Sequence, residues 1–253
     1  MDESVLDEKT RIERYTSQSW ESLQANPLHK DLIEFKDVFP ESMPCELPKD
    51  KGTRHEIELK PGSKYCVMKQ WPLPREQVLA IDKFFTDRLV AGHMRETTSP
   101  HSSPIFCVRT ATGRWRKVHA FNKLNTATVP AQTPTPREDV IDDGMSNSTI
   151  FSSMDLMHGF YHILMRERDI PYTAVTTPRG MLWEWLVMPQ GMSNAPATFK
   201  RCVTNLLRPV RYFAPSYFDD AYVHSRALDG KTDAEVHRTH VRQVLQLMLP
   251  HKF

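Results

Sequence analysis

Three carboxylates carry the chemistry of this chain. Tyr217-Phe218-Asp219-Asp220 ends in two of them, and Phe151-Ser152-Ser153-Met154-Asp155 ends in a third, 64 residues before Asp219. Both stretches read as short β-segments, so strands laid side by side would converge three negative charges. Like charges gathered in this way raise one another's pKa and repel unless something neutralises them. Mg²⁺ is the usual partner: it takes one or two carboxylates and leaves its other positions to water and phosphate oxygens. Two metals so held serve phosphoryl or nucleotidyl transfer. The plain alternative is that Asp219-Asp220 is a solvated turn, a common use of such pairs. In the metal reading Asp155 and Asp219 are the ligands and Asp220 is the supporting third carboxylate.

Further strings decide between these readings. Trp115-Arg116-Lys117, then Phe151 to His162 (FSSMDLMHGFYH), then Met188 to Phe199 (MPQGMSNAPATF), then Tyr217 to Asp220 (YFDD) follow one another along the chain. In order and spacing they resemble a reverse transcriptase, and most nearly that of gypsy-type LTR retrotransposons, whose blocks read near FSKIDLxxGYH, MPFGLxNAPATFQ and YxDD. The likeness covers roughly residues 35–253.

The resemblance implies an RNA-directed DNA polymerase that uses two Mg²⁺ ions, with Mn²⁺ as the alternative. One metal would lower the pKa of the primer 3′-hydroxyl; the other would steady the triphosphate and the departing pyrophosphate. It also implies nucleotide-binding roles for Arg109, Arg116, Phe160, Gln190, Tyr217 and Phe218. Phe160 stands where an aromatic closes over the sugar and leaves no room for a 2′-hydroxyl, with Tyr161 as its bulky neighbour. Arg109 and Arg116 match positions that hold the triphosphate, a task suited to guanidinium groups. Gln190 replaces the Phe usual in gypsy-type elements with the Gln of retroviral enzymes. The run His119-Ala120-Phe121-Asn122-Lys123-Leu124-Asn125 departs from the commoner VDYRxLN, lacking both the acidic residue and the arginine. Implied partners are a primer–template, deoxynucleoside triphosphates, and the rest of the Pol polyprotein (thumb, connection and RNase H), with a dimer also allowed.

Composition sets outer bounds. The chain has 253 residues, 40% hydrophobic and 25% charged, which is the balance of a soluble globular protein. No apolar run is long enough to span a membrane, and the acidic amino terminus lacks a signal-peptide core. The expected location is therefore intracellular, in a cytoplasmic retroelement particle or the nucleus. Cys45, Cys66, Cys107 and Cys202 are scattered without metal-ligand spacing and read as reduced, packed thiols. His158 and His162, four apart near Asp155, offer a weaker metal pairing. A net charge of +2 conceals −6 over residues 1–50, +7 over 51–140 and +1 over 141–253. A basic middle section suits phosphate-bearing partners.

The elements that must place these residues are legible by period and punctuation. A helix is predicted over about 75–91, with Pro74 at its start, Val78, Ile81, Phe85 and Leu89 on one face, and Gly92 at its stop. A strand near 56–59 precedes it. Strands at 102–109 and 114–118 form a hairpin turned at 110–113, and a second hairpin joins 172–176 to 181–187 through Pro178-Arg179-Gly180. Helices follow over 196–207 and 234–248. The expected fold class is α+β: right-hand polymerase fingers and palm, the palm a split βαβ (ferredoxin-like) sheet, cut short before its last strand and the thumb. Residues 1–50 read as an acidic, partly disordered leader. Residues 51–253 read as the reverse transcriptase domain, with fingers at about 60–130 and 163–194 and palm at about 131–162 and 195–253. Two rival functions remain at this stage. One is a catalytically inactive nucleic-acid-binding remnant of a broken retroelement. The other is an RNA-synthesising palm polymerase, which the bulk of Phe160 disfavours.

Overall fold

Pro74 and Gly92 bracket the longest helix of the first half, Arg75–Val90. Pro74 sits at the N-cap with φ −57°, and Gly92 adopts φ +69°, where a side chain would be strained. The amides of Gly92 and His93 turn back onto the carbonyls of Leu89 and Arg88 at 2.9 and 3.0 Å, closing the last turn. Ile81 and Phe85 are buried, whereas Leu89, expected on the same face, is 44% exposed.

The computed structural model describes residues 20–39, 46–64, 66–110, 113, 115–132, 137–156, 159–217 and 220–251. Their strands form two sheets. Strands β1 (Met94–Glu96), β2 (Ser103–Arg109), β3 (Trp115–His119), β5 (Val175–Thr176) and β6 (Leu182–Trp185) make a mixed sheet in the order β1-β6-β5-β2-β3. Its pairings are antiparallel except β2 with β5, which run parallel. The Arg75–Val90 helix packs against β1, β2 and β3. Gly113 (φ +74°) and Gly180 (φ +85°) turn the two hairpins, as their positions in the sequence predict. The expected strand near 56–59 is instead extended chain held by isolated bridges, His55 to Met165 and Leu59 to Thr128. Two short helices had no clear signal in the sequence, Asn122–Ala127 and Glu138–Met145.

Strands β4 (Ile150–Asp155), β7 (Ser216–Tyr217) and β8 (Asp220–Ser225) form an antiparallel sheet in the order β4-β8-β7. Helices Ala195–Leu207 and Asp233–Met248 back it. Phe199, Val203 and Leu207 of the first and Val241, Val244 and Leu245 of the second are buried there with Ala221 and Val223 of β8. The second helix begins with a reciprocal capping box between Thr232 and Glu235.

Part of the acidic leader is folded against the rest of the chain. The short helix His29–Glu34 is docked onto the Asp233–Met248 helix. Asp31, 1% exposed, accepts hydrogen bonds from Arg238 Nε at 2.7 Å and Arg242 Nη1 at 2.6 Å, and Glu34 receives a second fork from Arg242. Phe35 lies under the Arg242 guanidinium at 5.2 Å and, with Val38, joins the core. Burial pushes the Asp31 carboxyl up, but the hydrogen bonds from Arg238 and Arg242 outweigh it and hold the group below the usual range.

Candidate active site

The strand register brings two of the three predicted carboxylates together. Asp155 lies directly across from Asp220, followed by Ser153 across from Tyr222 and Phe151 across from His224. Residues opposite one another in an antiparallel pair share a face, with Cα atoms about 4.5–5.5 Å apart. Asp155 and Asp220 therefore rise from the same face, Asp155 exposed and Asp220 half-buried. The other face, with Met154 opposite Ala221 and Ser152 opposite Val223, is turned to the helices. The Tyr222 hydroxyl donates to Asp220 Oδ2 at 3.1 Å, which orients that carboxylate. Tyr217 pairs with Asp220 across the β7–β8 hairpin. Asp219 and Phe218 lie outside the described residues.

Two carboxylates on one exposed face offer hard oxygen donors, and they fit Mg²⁺ in type and in number. Among the described residues no group of three metal-capable side chains converges, and the third expected ligand is Asp219. Of the weaker histidine pairing, His162 is buried, and His158 lies outside the described residues.

The two aromatic neighbours after Asp155 have different surroundings. Tyr161 is buried, stacked on Trp185 at 5.5 Å and on His93 at 6.1 Å, and burial pushes its hydroxyl pKa up to about 12. Phe160 is half-buried and stacks on Phe199 at 5.2 Å. Gly159 makes this stack possible, since a Cβ there would stand 2.2 Å from the Phe199 ring.

Arg109 and Arg116 are placed apart. Arg109 pairs with Trp115, and Arg116 with Val108, so the side-chain alternation of the strands sends them to opposite faces of the hairpin. The Arg109 guanidinium lies 4.9 Å over the Trp115 ring and 3.9 Å from Glu76, in an exposed setting. Arg116 is exposed. Gln190 is half-buried at the turn before Gly191, which has φ +102°.

Sequence reasoning missed two features that hold these pieces. A hydroxyl–imidazole network lies behind the aspartate strands: His237 bonds Ser152 at 2.8 Å and Ser225 at 2.9 Å, and Ser225 bonds His240 at 2.8 Å. Burial lowers the pKa of His224, His237 and His240, which favours the neutral rings. The second is a pair of asparagines, Asn125 and Asn194, that tie the Gly191 turn to residues 125–131. Neither has a periodic signature, because each joins chain segments distant in sequence. Cys66, Cys107 and Cys202 are free and buried.

Comparison with known proteins adds to this geometry. Residues 103–253 match the family described as reverse transcriptase (RNA-dependent DNA polymerase). The chain is 36% identical over 166 residues, 63% of its length, to the retrovirus-related Pol polyprotein from transposon 297 of Drosophila melanogaster. It is 32% identical over 215 residues, 84% of its length, to the transposon Tf2-3 polyprotein of Schizosaccharomyces pombe. The matched region spans 16% of each of these relatives. The chain belongs to the reverse transcriptase (RNA-dependent DNA polymerase) family.

Proposed function

We propose that this chain forms the fingers and palm of a retrotransposon RNA-directed DNA polymerase, which joins deoxynucleotides to a primer 3′-hydroxyl on an RNA or DNA template. The observation that carries the reading is the placement of Asp155 opposite Asp220 on one face of a three-stranded sheet. That sheet and its two helices are read as the palm. The five-stranded sheet and the Arg75–Val90 helix are read as the fingers.

Asp155, Asp219 and Asp220 are assigned as the metal ligands, with the Tyr222 hydroxyl orienting Asp220. Two Mg²⁺ ions held there would supply the charge that activates the primer hydroxyl and stabilises the departing pyrophosphate. Phe160, braced from behind by Phe199, is assigned to the nucleotide sugar. Burial of Tyr161 in the core supports choosing Phe160 of the two. Arg116 and Arg109 present guanidinium groups on the two faces of the β2–β3 hairpin as triphosphate contacts. Gln190, Tyr217 and Phe218 complete the nucleotide site. The remainder of a Pol polyprotein is the partner expected to hold the primer–template.

Mn²⁺ titration followed by electron paramagnetic resonance tests the metal assignment without requiring turnover. The chain should bind Mn²⁺ in the presence of primer–template and nucleotide, and Asp155→Asn should weaken that binding at least about 10-fold, since one of very few protein ligands is lost. Equal binding by the two proteins would rule out Asp155 as a ligand.

A further inference from the structure

The turn that carries Gln190 is held by side-chain amides. The Asn125 Nδ2 donates to the Gly191 carbonyl at 2.9 Å, and its Oδ1 accepts from the Ser193 amide at 2.9 Å. In return, Asn194 Nδ2 donates to the Val129 carbonyl at 2.8 Å, and its Oδ1 accepts from the Ala131 amide at 3.0 Å. Each asparagine thus satisfies both a donor and an acceptor of the other's segment.

The backbone at this turn has little freedom. Gly191 has φ +102°, and a Cβ there would come within 3.0 Å of the His119 carbonyl oxygen, so only glycine fits without displacement. Asn125 is itself anchored. It projects from the Asn122–Ala127 helix, whose Leu124 and N-cap residue Phe121 are each 1% exposed, and its own amide bonds the Phe121 carbonyl at 2.7 Å. A helix anchored in the core therefore holds the turn through one side chain. Ala120 and Asn122, which stand where relatives carry an acidic residue and an arginine, leave these two positions without ionised side chains.

We infer that Asn125 is a positioning residue for the incoming nucleotide: it fixes the Gly191–Ser193 turn and, through it, the placement of Gln190. The inference rests on the polymerase reading above. Asn125 itself does not touch the reacting atoms.

Two measurements on the same variants test it. Hydrogen exchange of the 188–194 amides needs no activity. In Asn125→Ala the Ser193 amide should exchange at least about 10-fold faster, while amides of β8 stay unchanged, because a hydrogen-bonding partner has been removed locally. Asn125→Asp keeps an acceptor for Ser193 but has no donor for Gly191, so it should retain the Ser193 protection. The second measurement is extension of oligo(dT) on poly(rA) with dTTP. Here Asn125→Ala should raise KM for dTTP about 10-fold with kcat within about 3-fold, the pattern of lost binding rather than lost chemistry. In a Gln190→Ala background the same change should have no further effect on KM, since coupled residues are not additive.

Unchanged Ser193 exchange would overturn the staple. Faster exchange with an unchanged KM, or an additive effect in the double variant, would overturn its link to the nucleotide. If the parent chain neither extends the primer nor binds dTTP, the polymerase reading fails and the nucleotide role of Asn125 falls with it. The exchange result then still reports whether Asn125 holds the turn, so the two failures are distinguishable.

Discussion

At the scale of single residues, neighbours in sequence divide their labour by burial. Phe160 and Tyr161 are adjacent rings, yet Tyr161 is locked between Trp185 and His93 while Phe160 keeps an open side. If Phe160 excludes a 2′-hydroxyl, Phe160→Val should raise ribonucleotide use relative to deoxynucleotide at least about 10-fold, the discrimination expected from reshaping a pocket wall. Primer extension with dTTP and UTP on poly(rA) reads this ratio, and an unchanged ratio would remove the assignment. The meeting of Asp155 and Asp220 was legible in the sequence, because each borders an apolar run that reads as a strand. Asn125 was not legible: its value lies in two hydrogen bonds to a turn 66 and 68 residues away. The opposite faces taken by Arg109 and Arg116 follow only from the register of the hairpin, which the sequence leaves open by one residue at each turn.

At the scale of elements, punctuation was the readable signal. Pro74 and Gly92 bounded one helix, and Gly113 and Gly180 turned two hairpins. Short helices such as Asn122–Ala127 escaped because fewer than two turns give no period to detect. The docked helix His29–Glu34 escaped for another reason: Asp31 meets its arginines 207 and 211 residues away. Its carboxyl pKa is held below the ordinary value of 3.8, so its contribution to stability is full above that pH and is lost as the pH falls through the lowered folded-state value. Asp31→Asn should cost about 1–3 kcal/mol at pH 7, the range for hydrogen bonds to charged partners. The gap in Tm between parent and variant should hold steady from pH 8 to about 5 and close below about 4. Buried His224 and His237 and half-buried His240 gain protons in both proteins and largely cancel from that difference. A gap that persists unchanged through pH 3, or no gap at pH 7, would contradict the role given to Asp31.

At the scale of the whole molecule, the arrangement is one of support from behind. The face bearing Asp155 and Asp220 is left open, while the opposite face rests on two helices, a serine–histidine network and, through Arg238 and Arg242, the segment around Asp31. Such backing fixes Asp155 and Asp220 in register on one face of the sheet. The family match begins at residue 103, yet Phe35, Ile81 and Phe85 belong to the same core as residues beyond it, so the folded unit extends well upstream of the match. The claim on which the rest depends is that this open acidic face performs nucleotidyl transfer. Extension of an oligo(dT) primer on poly(rA) with dTTP and Mg²⁺, comparing the chain with Asp155→Asn, tests it most directly. The account predicts extension by the parent chain and a loss of at least about 100-fold in the variant, the scale on which removal of a single electrostatic stabiliser acts. Equal extension by both proteins, or primer–template binding with no extension by either, would contradict it.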